Sequence, residues 1–198
     1  MKQRLILLPV ALALLATGCV APVGPVEVTR FHGPDTAVLG RGSVQVEPAP
    51  GMDGQSLEFR AYLAAVAREL TRVGYVEAAA GSGSAQVAVV KVAREVFQPE
   101  RARGPVSVGV GGAPGSYGSG VGLGIGIDLS GPPPEQVSTE LAVTIKERSS
   151  GAALWEGRAT FTVRATSPMA DTGLGAARLA EALFKDFPGK SGETIVVP

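Results

Sequence analysis

Residues 135–164 read EQVSTELAVTIKERSSGAALWEGRATFTVR, two runs of alternating character joined by a short polar turn. Val137, Thr139, Leu141, Val143 and Ile145 take every second place in the first run; Ala153, Trp155, Gly157, Ala159, Phe161 and Val163 do so in the second. Period two predicts strands with one buried face. The intervening places hold Glu140, Thr144 and Lys146 against Glu156, Arg158, Thr160, Thr162 and Arg164, so the opposite face meets water. Arg148 to Gly151 supplies the tight turn. The stretch is thus an antiparallel meander that needs a second layer on one side only.

Two segments have the right period to be that layer. Between Ser56 and Val73, Phe59, Leu63, Val66, Leu70 and Val73 recur at spacings of four and three, which stacks them on one side of a helix. Ser56 stands where an N-cap is expected, and Gly74 where a helix ends in a left-handed residue. A second helix is expected from a cap at Asp171 or Thr172 to about Phe187, with Ala176, Leu179, Ala180, Leu183, Phe184 and Phe187 turned inward. Pro188 and Gly189 stop it.

Further strands flank these. Val26 and Val28 begin one, Ser43 to Glu47 forms a second ahead of Pro48 and Pro50, and the tail Thr194 to Val197 suits an edge. Gln86 to Val96 is apolar on both faces around Val87 to Val90, which predicts an interior strand. The expected architecture is α+β: an antiparallel sheet of about seven strands with two helices packed on one face, a two-layer sandwich.

Residues 101–131 differ in composition. Val106, Val108 and Val110 alternate with Ser107 and Gly109, and Val121, Leu123, Ile125, Ile127 and Leu129 alternate with Gly122, Gly124, Gly126 and Asp128. The pattern predicts a hairpin with one greasy face and one of nearly bare backbone. Glycine in a strand leaves its face unpacked, so a row of it marks a bend or a close neighbour. Gly122, Gly124 and Gly126 are accordingly candidate partner-contact positions, with a sharply coiled hairpin covering the core as the alternative.

The amino terminus sets location. Lys2 and Arg4 precede an apolar run, Leu5 to Ala16, that is shorter than the roughly 20 residues needed to cross a bilayer and fits the core of a signal peptide. Ala16, Thr17 and Gly18 lead to Cys19, the single cysteine, in a pattern resembling the bacterial lipobox. The expected layout is a lipoprotein signal peptide over residues 1–18, a lipidated tether over 19–25 and one periplasmic α+β domain over 26–198. Two or three acyl chains on Cys19, at roughly 0.8 kcal/mol per buried methylene, would hold firmly to a membrane. Val20 is not the aspartate associated with inner-membrane retention, which favours the outer membrane.

Composition narrows the chemistry. The whole chain has 18 basic and 18 acidic residues; losing Lys2 and Arg4 with the leader leaves 16 against 18, a net charge of −2. That gives no bulk attraction for nucleic acid. With Cys19 acylated, no second thiol exists for a disulfide, so burial and hydrogen bonding must supply stability. His32 is the lone histidine and precedes Gly33 and Pro34, where a solvent-facing turn residue is expected, so neither a serine–histidine pair nor a zinc cluster is suggested. The glycines alternate within strands and no helix follows them, unlike a phosphate loop. Arg94, Arg101 and Arg103 make a small basic cluster interrupted by Glu95 and Glu100, the pattern of a solvated loop. No cofactor or metal is expected.

Several of these features together resemble a family of small bacterial envelope lipoproteins defined only as a domain of unknown function. The resemblance lies in the helix ending in Leu70, Gly74 and Tyr75, the apolar strand after it and the Val/Gly hairpin. It continues through Ser150 and Gly151 into Leu154, Trp155, Glu156 and Gly157, and ends in Phe187, Pro188 and Gly189. It covers nearly the whole mature chain and implies a periplasm-facing α+β domain on a lipid anchor, with no catalytic residues. The expected function is therefore non-enzymatic binding or structure at the envelope, with membrane contact through the lipid on Cys19 and an envelope protein as partner. A small-ligand or lipid carrier would need an apolar cavity between sheet and helices. A carboxylate-based hydrolase would need a pocket lined by two carboxylates.

Overall fold

The structure, a computed structural model, describes residues 24–79, 81, 83–100, 106–113, 120–127 and 131–198, with the backbone alone for 106–113 and 120–127. Cys19, Arg101 and Arg103 lie outside the described residues. In chain order the elements are β1 (Val26–His32), β2 (Ser43–Pro48), α1 (Leu57–Arg72), β3 (Val76–Glu77), β4 (Gln86–Phe97), β5 (Val106–Ala113) and β6 (Gly120–Ile127). They continue with β7 (Gln136–Glu147), β8 (Ala153–Arg164), a 3-10 turn (Pro168–Ala170), α2 (Thr172–Phe184) and β9 (Thr194–Val197).

The meander forms as its alternation requires. Val137 sits opposite Val163, Leu141 opposite Ala159 and Ile145 opposite Trp155. Every inward place from Val137 to Ile145 is buried, as are Trp155, Ala159, Phe161 and Val163. Around this pair a seven-stranded sheet runs in the order β3-β2-β4-β7-β8-β1-β9, and β4 is interior as its apolar run predicts.

The fold is α+β in two layers, but the sheet is mixed rather than antiparallel throughout. β2 pairs in parallel with both β3 and β4. The reason is α1, which carries the chain back after β2 so that the next strands start from the same end. The β5–β6 hairpin makes a separate two-stranded sheet, so β3 and β9 complete the seven.

The helices bury wider arcs than single stripes. In α1 the buried residues are Phe59, Tyr62, Ala65, Val66, Ala67 and Leu70, while Leu63 and Val73 are only half-buried. α1 packs against α2 as well as the sheet, which draws Tyr62 and the small Ala65 into the core. Leu63 borders a groove shared with Val46 and Glu77, where the sheet ends at β2 and the two-residue β3. Gly74 has φ +110°; its N–H reaches the Thr71 carbonyl and that of Tyr75 the Leu70 carbonyl, the double bond of a Schellman cap. Ser56 occupies the N-cap but makes no side-chain cap bond. α2 is capped by Asp171, which accepts from the Gly173 N–H at 2.9 Å. It ends at Phe184, three residues before the expected Phe187, because Asp186 takes a positive φ of 55° ahead of Pro188.

The two motifs at Trp155 and Phe187 explain each other. Trp155 lies back over Gly157, where a Cβ would meet the indole at 2.2 Å, so glycine at 157 is what lets the ring lie flat. The indole stacks on Phe184 at 5.4 Å, packs against Phe187 at 5.3 Å and donates from Nε1 to the Pro188 carbonyl at 2.9 Å. Beside it Arg30, only 4% exposed, projects from β1 and donates to the Leu183 and Ala182 carbonyls, both at 3.0 Å. These are the orphan carbonyls at the C-terminus of α2, where a cation is favoured. Burial pulls the Arg30 guanidinium below its ordinary value, while Asp186 and Glu193 pull it back. Gly189, at φ +80°, leaves room for it: a Cβ there would sit 2.7 Å from Arg30 Nη1.

Candidate binding cleft at the start of the first helix

Glu58 in the first turn of α1 and Thr172 at the start of α2 meet, the Thr172 hydroxyl donating to Glu58 Oε1 at 3.1 Å. The two helices therefore begin at the same end of the domain. Arg94, on the helix-facing side of β4, closes the group. Its Nη1 lies 3.4 Å from Glu58 Oε1 and 3.3 Å from Thr172 Oγ1, and its Nη2 donates to the Ala170 carbonyl at 2.8 Å. In front of these residues is a cleft of about 220 Å³ lined by Met52, Asp53, Ser56, Glu58, Phe59, Tyr62, Val92 and Arg94.

Tyr62 is the most informative member. It is 2% exposed, yet its hydroxyl bonds to nothing among the described residues. No side-chain oxygen or nitrogen sealed from solvent lacks a partner there, so the hydroxyl must reach the cleft surface. Burial pushes the phenol above its ordinary value, with Arg94 opposing and Glu58 adding to the rise. The group is therefore a neutral phenol able to donate and accept. Asp53 Oδ1 accepts from the Gln55 N–H at 3.0 Å and shapes the turn into α1.

The sequence-predicted positions are spread out. Arg94 joins this cleft and not a loop cluster. His32 is the last residue of β1 and half-buried; its ring pairs with the Gly33 carbonyl at 2.7 Å and the Gly189 carbonyl at 3.3 Å, so it is not a solvent-facing turn residue. Ser191 meets the His32 backbone rather than the ring, and among the described residues no serine hydroxyl is hydrogen-bonded to that ring. The hairpin register sets Gly124 opposite Gly109, Gly122 opposite Gly111 and Gly126 opposite Ser107. The bare row thus spans both strands at Gly109, Gly111, Gly122 and Gly124, with Ser107 the one non-glycine residue, opposite Gly126. Among the described residues no group of three or more histidine, cysteine or acidic side chains is placed to hold a metal.

Two alternatives meet the geometry differently. Among the described residues, the space between sheet and helices is filled by Trp155, Tyr62, Phe184, Leu70, Leu141, Ile145, Leu179 and Leu183, none more than 2% exposed. The cleft does contain two carboxylates, Asp53 and Glu58. Glu58 is held by the Arg94 guanidinium and the Thr172 hydroxyl, and Asp53 by the Gln55 N–H. Sequence reading missed the cleft because its members come from three distant segments. The one local signal was Tyr62, a polar-tipped side chain three places after Phe59 on the buried arc.

Comparison with known proteins gives the following. An uncharacterized protein of Zymomonas mobilis is 29% identical over 211 residues, spanning 86% of this chain and 79% of its own. A PDZ domain protein from Parabacteroides distasonis aligns at TM-score 0.48 and 10% identity over 96% of this chain and 42% of that one, so this chain spans about two fifths of that structure. The PelC dodecamer from Paraburkholderia phytofirmans aligns at TM-score 0.45 and 14% identity over 84% and 99% of the two chains. At these scores neither structure bears on function. Residues 44–189, from β2 to the Phe-Pro-Gly loop, match the family described as Domain of unknown function (DUF4136), and the chain belongs to that family.

Proposed function

We propose that this protein is a non-enzymatic lipoprotein, held by acyl chains on Cys19 at the periplasmic leaflet of the bacterial outer membrane, whose domain binds an envelope component. The observation that carries this reading is the segment Met1–Cys19, a basic start and short apolar run ending at the single cysteine. Where the chain enters the domain adds to it. Gly24 lies against the Thr162 carbonyl, at the end of the sheet where β1 starts and β8 finishes. It stands five positions after Cys19, a reach of at most about 18 Å. That end of the domain, which includes the 3-10 turn and the helix starts, stays close to the lipid.

The glycine row, with Gly122, Gly124 and Gly126 on one strand, suits a flat partner surface or an added strand at close range. Intact-mass analysis of the protein purified from membranes tests the anchor. It is expected to begin at Cys19 and to carry the added mass of acyl chains. An unmodified Cys19, or a start elsewhere, contradicts the reading.

A further inference from the structure

We infer that the cleft between the start of α1 and β4 is a binding site for a primary ammonium group on a short apolar stem. This stands on the cleft's own residues and does not depend on the anchor at Cys19.

The groups left over after internal bonding decide the ligand class. Arg94 is engaged by Glu58, Thr172 and the Ala170 carbonyl. With its charge offset by Glu58, the Asp53 carboxylate remains and the lining carries a net single negative charge. Only Oδ1 of Asp53 is used by the Gln55 N–H, and Oδ2 has no partner among the described residues. The Ser56 hydroxyl makes no cap bond and the Tyr62 hydroxyl has no partner among the described residues, so two further oxygens can accept. An ammonium has three donors and no acceptor, which matches one carboxylate and two hydroxyls. Below them Met52, Phe59, Val92 and the Tyr62 ring make an apolar floor, with two aromatic rings that favour a cation. At about 220 Å³ the cleft holds the volume of about seven waters, each taking about 30 Å³ of the liquid. A four-carbon amine fits, whereas a quaternary ammonium has no N–H to donate to these oxygens.

The second observation that makes this more than an acidic patch is Tyr62. Its side chain is 2% exposed, and its hydroxyl, which has no partner among the described residues, opens onto the cleft, where a ligand oxygen or N–H can take the place of water. The same chemistry is offered by a free amine and by the headgroup of phosphatidylethanolamine. The lipid source is close at hand if the start of β1 faces the leaflet.

The test is a titration of the full mature protein in nonionic detergent, followed by amide and tyrosine NMR signals. The probes are n-butylammonium chloride, short-chain phosphatidylethanolamine and short-chain phosphatidylcholine. The expected result is saturable shifts at Asp53, Ser56 and Tyr62 with n-butylammonium and none with phosphatidylcholine. Asp53→Asn should weaken the affinity by about tenfold or more, and Tyr62→Phe and Ser56→Ala by smaller factors. Ser56→Ala lies outside the core and serves if Tyr62→Phe unfolds. Phosphatidylethanolamine binding more tightly than n-butylammonium assigns the lipid source; n-butylammonium alone assigns a free amine. Absence of saturable shifts, or an unchanged affinity in Asp53→Asn, overturns the inference.

Discussion

Trp155→Ala is expected to destabilise the domain by about 3–5 kcal/mol, the usual cost of removing a large buried aromatic side chain. The indole is 1% exposed and joins three elements at once: its own strand β8, the last turn of α2 through Phe184, and the loop after it through Phe187 and Pro188. Removal leaves a cavity over Gly157 and an orphaned Pro188 carbonyl, and neither the sheet nor the helix can close in to fill it. At about 2–4 °C per kcal/mol for a domain of this size, the melting midpoint should fall on the order of 10 °C. Calorimetry or circular dichroism of the variant checks it. A fall of only a degree or two would mean that the packing around Gly157 is not as described.

The second large effect separates two leucines that a helical wheel treats alike. Leu70→Ala should cost about 2–5 kcal/mol, because the Leu70 side chain is 1% exposed and packed in the core between α1 and the sheet. Leu63→Ala should cost clearly less, since Leu63 borders the open groove beyond β2 and leaves no closed cavity behind. Chemical denaturation of the pair reads the difference. Equal losses would place Leu63 in the core after all.

This contrast shows what the sequence makes legible. Alternation at Val137 to Ile145 and at Trp155 to Val163 defines strands and their buried face without any tertiary information, because the period of a strand is local. The same holds for Phe59, Val66 and Leu70 on α1. What periodicity does not carry is direction and breadth. The parallel pairing of β2 with β4 follows from where α1 returns the chain. The arc that buries Tyr62 follows from α2, more than a hundred residues away. The Trp155–Gly157 and Phe187–Pro188–Gly189 motifs are visible as strings, yet their contact across β8 and the end of α2 is not. The cleft shows the limit most plainly: Asp53, Tyr62, Arg94 and Thr172 become neighbours only when both helices start at one end of the sheet.

That end of the molecule also ties the domain to its proposed setting. Gly24, the 3-10 turn and the starts of both helices lie together. Under the proposed anchoring at Cys19, a tether rooted there would present the cleft toward the lipid and the far end, with Trp155 and Arg30, away from it.

Separating inner from outer membranes by density, and following wild-type protein beside Cys19→Ser, tests the lipid anchor most directly. Wild-type protein is expected in the outer-membrane fraction after high-salt washing, and Cys19→Ser is expected to be absent from it, because acylation needs the thiol. Recovery of Cys19→Ser in the washed outer-membrane fraction at the wild-type level would contradict anchoring through Cys19.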